Sequence, residues 1–391
     1  MKQIYIIVAT IILFRVGLLA QNSPYVSQVI EYKPAPGQFT NTLTWGSPSA
    51  AQSIIGGING HISLGAYGGY IVVGFDHSIE NDPNNPYGVD FSIFGNAFTG
   101  WSEPGIVQVM KDENQNGLPD DTWYLLKGSE YNNPSTINNY VIMYANPGGY
   151  ANVPWRDNRN HRGAILSNPY HTQPYYPSVD SFPDVNPISE TYQGMLISGN
   201  IDDSNPNFIK SYTLDYGYAD NHTKKSGDPI TQPDNPATID IIEGAGGDAM
   251  KIEWAVDDQG NPVSLDKIDF VKIYTGLNRN CGWLGEVSTE ICGVVNVDSE
   301  NSAKKYKSTP ETKSHKENFS EKTITIFTSS DNEKTFININ GFEIFNINGK
   351  LVLKSNLNNI DNIDFSPLEK GIYLAKAISK SNIKSYQIVI E

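Results

Sequence analysis

Three observations predict an all-β chain: short apolar and β-branched runs recur from about residue 22 to 297, clusters of Gly, Pro, Asn and Asp separate them, and helical periodicity is nearly absent. A content of 34 Gly, 23 Pro and 22 Tyr favours turns and strands over long helices. The runs at 71–75, 89–94, 106–110, 123–126, 140–144 and 268–274 are the expected strands. Short strands with turn residues between them pack as an antiparallel sandwich. No repeat with the period of a propeller blade is present, so a jelly-roll-like sandwich over residues 21–297 is the expected main domain.

Ahead of it, Lys2, the apolar stretch 4–14 and the small Ala20 before Gln21 predict a signal peptide over residues 1–20. No later run of about 18 apolar residues predicts a transmembrane segment in the mature chain. After it, residues 298–322 are polar, mixed in charge and nearly free of large apolar side chains, which predicts a flexible linker. β-patterning returns over 323–391. There 342–347 alternates, Asn348-Gly349 is a two-residue hairpin turn and 350–353 is the return strand.

The formal net charge of −15 argues against nucleic acid, whose affinity comes from Lys and Arg on phosphates, and suits divalent cations. The sharpest chemical motif is Asp112-Glu113-Asn114-Gln115-Asn116-Gly117-Leu118-Pro119-Asp120-Asp121. Oxygen side chains at its first, third and fifth positions, followed by Gly at the sixth, match the start of an EF-hand calcium loop. Calcium is therefore expected on Asp112, Asn114 and Asn116, with the Leu118 carbonyl and Asp120 or Asp121 completing the shell. The twelfth position is Trp123 rather than Glu, so the loop belongs to a β-framework. The two cysteines, Cys281 and Cys292, are close in sequence and are expected to form a disulfide in an oxidising compartment.

The motifs for a serine-nucleophile elbow, a zinc-protease helix, a phosphate loop and a dinucleotide fold are missing. The chain reads as a binder rather than an enzyme. The alternative is a calcium-dependent glycan-cleaving enzyme in which Glu103 and Asp180 act as a carboxylate pair. For binding, the segment 150–192 shows little regular patterning yet concentrates aromatic and basic residues. Trp155, Tyr175 and Tyr176 are expected to offer stacking faces, with Arg159, His161 and Arg162 orienting polar groups of a glycan or a cobalamin-like ligand.

Two resemblances bear on these expectations. Residues 343–350 and 363–373, with Asn348-Gly349 and Leu368-Glu369-Lys370-Gly371-Ile372-Tyr373, resemble the C-terminal sorting domain of type IX secretion cargo. That resemblance implies a small C-terminal β-sandwich sorting domain, recognition by the type IX secretion machinery, and a secreted or cell-surface location at the outer-membrane exterior. The runs 63–79, 94–98, 102–107, 117–124, 173–177, 217–221 and 282–287 resemble a family of secreted bacterial cell-surface proteins, some of which accompany cobalamin-uptake systems. This second resemblance implies surface binding and carries no catalytic residues.

Overall fold

The computed structural model describes residues 22–206, 208–238, 241–282, 285–298, 317–319, 322–327, 341–346, 351–355, 368, 371–378 and 383–390. The expected signal peptide, most of the expected linker and the 347–350 turn lie outside the described residues. Among those described, the strands of every sheet pair antiparallel, and the one α-helix is the short Pro48–Ala51. The all-β sandwich expectation holds.

Its centre is a seven-stranded sheet in the order Gln28–Lys33, Tyr70–Glu80, Lys267–Thr275, Gly105–Met110, Trp123–Leu126 and Ala255–Val256, with Tyr218–Ala219 also pairing with Gly105–Met110. Successive side chains of a strand point to opposite faces, and here the alternation divides two cores. Ile71, Val73, Val107, Val109, Val271 and Ile273 face one way. They pack with Phe91, Ile93, Met250 and Val294 of a three-stranded sheet, Asp248–Met250, Phe91–Phe94 and Gly293–Asn296. These side chains are all essentially buried.

The intervening positions face the other way. Tyr70 packs at the edge of an aromatic cluster built on Tyr67, Tyr140, Tyr144, Tyr175, Tyr176 and Tyr192, and the Lys272 ammonium sits 4.3 Å from the Tyr70 ring centroid. That cluster belongs to a four-stranded sheet in the order Ser189–Leu196, Ile137–Ala145, Val153–Asp157 and Arg162–Ile165. Two of its strands lie in the 150–192 segment and a third begins there, although the sequence pattern represents that segment as irregular. Pro154, Asn158, Asn160 and Gly163 interrupt the alternation there, and cross-strand pairing restores it.

In the C-terminal region six described strands form one antiparallel sheet: Glu317–Phe319, Lys322–Phe327, Ile383–Ile390, Gly371–Ile378, Gly341–Asn346 and Leu351–Ser355. The first of these lies within the stretch that composition assigns to the linker. Ile344 pairs with Leu353, as the hairpin pattern requires.

Candidate functional site

The 111–122 loop connects two paired strands, Met110 opposite Trp123. It is anchored where the Asp112 amide donates to Asp269 Oδ2 at 2.7 Å. The Asp112 carboxylate accepts from the Asn116 and Gly117 amides at 3.1 and 2.7 Å, and Asn114 Oδ1 accepts from the Asn116 amide at 3.0 Å. Gly117 has φ +75, a left-handed conformation that favours glycine. The Asn116 side-chain amide donates to both Asp120 oxygens at 3.2 and 3.1 Å, and that of Asn114 to Asp120 Oδ1 at 3.4 Å. Asp112, Asn114, Asn116 and Asp120 are thus drawn into one ring of oxygen-bearing groups. Asp121 accepts from the Glu113 amide at 3.0 Å, and Leu118 is exposed. The Asn114 and Asn116 side chains turn their amide nitrogens to Asp120, while their oxygens accept from the Asn116 and Leu118 backbone amides at 3.0 and 2.7 Å.

A second constellation was not legible as one in the sequence. Among the described residues, one group of three acidic, histidine or cysteine side chains has ligand atoms all within 4.8 Å of one another: Glu103, Asp220 and Glu290. Its spine is the segment 217–222. Tyr218 and Ala219 pair with Ile106 and Gly105 of the central sheet, and Asp220 then turns the chain in a left-handed conformation, φ +54, which Asp tolerates better than most residues. The fully buried Asp220 carboxylate accepts from the Asn96 and Ala97 amides, both at 2.9 Å, and from the Glu290 amide at 2.8 Å. A Cβ on Gly95 would meet Asp220 Oδ1 at 2.1 Å, so this approach requires glycine. Glu103 Oε1 accepts from the Ser288 amide at 2.9 Å. One residue further along the spine, Asp248 accepts from the Asn221 and His222 amides and lies 3.1 Å from His222 Nδ1. His222, Asp248, Asp234 and Tyr216 line a small cavity beside it.

Burial governs the charge of this group. It pushes the Glu103 carboxyl up to about 8; a hydrogen bond from Glu290 pulls the other way, and the neighbouring Asp220 charge adds to the rise. Glu290 is held well above the carboxylate range by burial first, then by the charge of Glu103 and its own hydrogen bond to it. Asp220 is raised by burial and by Glu290. Glu103 and Glu290 are therefore both held toward their protonated forms near neutral pH. Asp220 follows Ala219 and Glu290 precedes Ile291, a faint sequence sign of their burial. Nothing in one chain reveals that positions 103, 220 and 290 meet.

The six residues expected to bind a ligand do not form one surface. Tyr175 and Tyr176 are buried in the aromatic core, and the Tyr176 hydroxyl donates to the Asn186 carbonyl at 2.6 Å. Neither ring offers a stacking face, because both fill the space behind the four-stranded sheet. Trp155 is half-buried and lies opposite Gly163, with its indole against that glycine. Arg159, His161 and Arg162 are exposed at the tip of the same hairpin. There Asp157 accepts from the Arg159 and His161 amides at 2.9 and 2.7 Å and meets His161 Nδ1 at 2.9 Å, which gives His161 a turn-closing role. Glu103 is engaged with Glu290 and Asp220, whereas Asp180 stays exposed, so the expected acid–base pair is not assembled from these two.

The expected disulfide is also not formed: Cys281 and Cys292 are free thiols. Cys281 packs with Leu277 and Val287, and its amide closes a tight turn onto the Gly285 carbonyl at 2.7 Å. Cys292 packs beside Phe94 and Val295, and its amide donates to the Phe94 carbonyl at 2.6 Å. Different backbone partners hold them in different clusters, and burial pushes both thiols up to about 12. Without reductant, a thiol-labelling reagent should add two labels to the unfolded chain and react only slowly with the folded one. One intramolecular bridge and no labels on unfolding would contradict this.

Residues 318–391 match the family model of the secretion system C-terminal sorting domain. A comparison with curated proteins gives no match to the chain. The matched tail makes this chain a secreted or cell-surface protein that engages the type IX secretion machinery. No helix among the described residues is long and apolar enough to cross a membrane.

Proposed function

We propose that this chain is a surface-delivered binding protein whose main domain is stabilised by calcium at the 112–121 loop and whose ligand is a glycan or a cobalamin-like molecule. The observation that carries the calcium assignment is the closing of Asp112, Asn114, Asn116 and Asp120 into one ring on a hairpin anchored by Asp269. Asp112 and Asp120 supply the negative charge, and Asn114 and Asn116 supply neutral oxygens once their side-chain amides turn toward the ion. The cobalamin-like alternative rests on the sequence resemblance of the main domain alone.

A glycan-cleaving enzyme is the second reading. Its carboxylate pair would have to be Glu103 and Glu290 rather than Glu103 and Asp180. Glu290 is only 2% exposed and is committed to its neighbours, which favours a structural role for the pair and a binding role for the protein.

Calcium at a hundred times its dissociation constant should stabilise the folded domain by about 2.7 kcal/mol if the unfolded chain does not bind it. Chelation should lower the melting temperature of the wild type and leave that of Asp112→Ala unchanged. Equal responses of the two proteins to chelator would remove calcium from this loop.

A further inference from the structure

We infer that the surface built from the turn 39–46, His61 and the segment 168–173 is a binding platform for an uncharged carbohydrate. The inference rests on the reading of the chain as a binding protein and gives that reading a site.

Four rings run in a row. The His171 and Phe39 centroids are 4.9 Å apart, Phe39 and Trp45 are 4.9 Å apart, and Trp45 and His61 are 4.9 Å apart. This row reaches the surface. Trp45 is 39% exposed, Leu43 on the same turn 85%, and Tyr170, next to His171, 61%. Exposed apolar side chains gathered in this way, with polar groups between them, mark an interaction site more often than scattered ones do.

The platform is rigid before any ligand arrives. The Asn41 side-chain amide donates to the Pro174 and Tyr176 carbonyls, both at 2.8 Å, and its oxygen accepts from the Ser178 amide at 2.9 Å. Asn168 Nδ2 donates to Gln38 Oε1 at 3.1 Å, and the Gly37 amide to the Tyr175 carbonyl at 3.1 Å. The Ser63 amide donates to the Trp45 carbonyl at 2.8 Å and ties the turn to the sandwich. The buried Tyr175 and Tyr176 are thus part of the support beneath this surface. Preorganised rings lose little entropy on binding.

Charge selects the ligand. In a chain of net charge −15, residues 34–75 contain no Asp, Glu, Lys or Arg, and neither do residues 163–179. The two histidines add no charge at neutral pH, because burial pushes the His61 imidazole down to about 4 and lowers that of His171 as well. What remains between the rings is hydroxyl, amide and neutral imidazole, including the exposed Thr44. The charged groups that reach the first segment come from elsewhere in the fold: Glu286, buried, accepts from the Gln38 amide at 2.7 Å, and Lys224 donates to Asn59 Oδ1 at 2.6 Å, so the rings themselves carry no charge for an ionic ligand. A sugar ring offers C–H faces to the indole and hydroxyls to the neutral polar groups. The sorting tail delivers the protein to the outside of the cell, where polysaccharides are met.

The test is affinity electrophoresis of the full chain in native gels containing mannan, dextran, xyloglucan or galactomannan, with polygalacturonate and heparin as charged controls. At least one neutral polysaccharide should retard the wild type. Trp45→Ala and Tyr170→Ala should each weaken that retardation about tenfold or more, while Trp155→Ala leaves it intact. Circular dichroism and melting temperature establish that each variant is folded, and the exposed Tyr170 makes its variant the safer of the two. Retardation that survives both platform substitutions overturns this site and leaves the binding reading standing. Retardation by the charged polysaccharides alone overturns the charge argument and the site with it. No retardation by any of the six overturns both the site and a glycan ligand. Self-association of the full chain that Trp45→Ala abolishes would reassign the surface to a second copy.

Discussion

Between about pH 6.5 and pH 8 the folded protein should lose stability as the pH rises. The cause is the group of half-buried Glu103 with buried Glu290 and Asp220, all held above the ordinary carboxylate range, with Glu286 pushed by its own burial up to about 7. A carboxyl with a raised folded-state value binds its proton more tightly folded than unfolded. Its contribution is complete below the unfolded value of about 4.5 and is lost as the pH climbs through the folded value, about 8 for Glu103. Each proton the unfolded chain gives up and the folded chain retains costs about 1.4 kcal/mol per pH unit, so Glu103 alone accounts for about 2 kcal/mol over this window. Below pH 6.5, His61 works in the opposite direction, since its imidazole is lowered to about 4 and stability falls as the pH drops through that value. Denaturant unfolding at constant ionic strength, in chelator so that calcium does not intervene, measures the slope. Glu103→Gln should flatten it by removing a carboxyl that holds its proton more tightly in the folded state. If wild type and Glu103→Gln share one slope, the carboxyl pair does not control this dependence.

Tyr176→Ala should cost about 3–5 kcal/mol of folding stability, the range for removing a large buried aromatic side chain. The ring is 2% exposed among Tyr175, Phe182, Val185 and Tyr192, and its hydroxyl satisfies the Asn186 carbonyl. Truncation would leave both a cavity and an unpaired carbonyl. Arg162→Ala, on the exposed hairpin, should change stability by no more than about 0.5 kcal/mol. Urea midpoints and slopes for the two variants distinguish core from surface. A Tyr176→Ala protein as stable as wild type would return that tyrosine to the list of ligand contacts.

The sequence by itself determined the fold class, the hairpin that carries 112–121 and the sorting tail. Those features are local. Alternation in 71–75 and 106–110, the Asp-x-Asn-x-Asn-Gly spacing and the Asn348-Gly349 turn each involve residues close along the chain, where periodicity and turn chemistry leave a readable trace. Tertiary structure alone decided which aromatic residues are core. Trp45, Tyr170, Tyr175 and Tyr176 are equally plausible as stacking faces when read in order, and burial separates the first pair from the second because the 174–178 backbone is clasped by Asn41, more than a hundred residues away. The carboxyl group was invisible for the same reason. Glu103, Asp220 and Glu290 come from three distant segments, and the raised proton affinity that makes their meeting tolerable exists only once the sandwich has brought them together. Cys281 and Cys292, eleven residues apart and suited to bridging on paper, are separated by the same closure, which sends each thiol into its own apolar cluster.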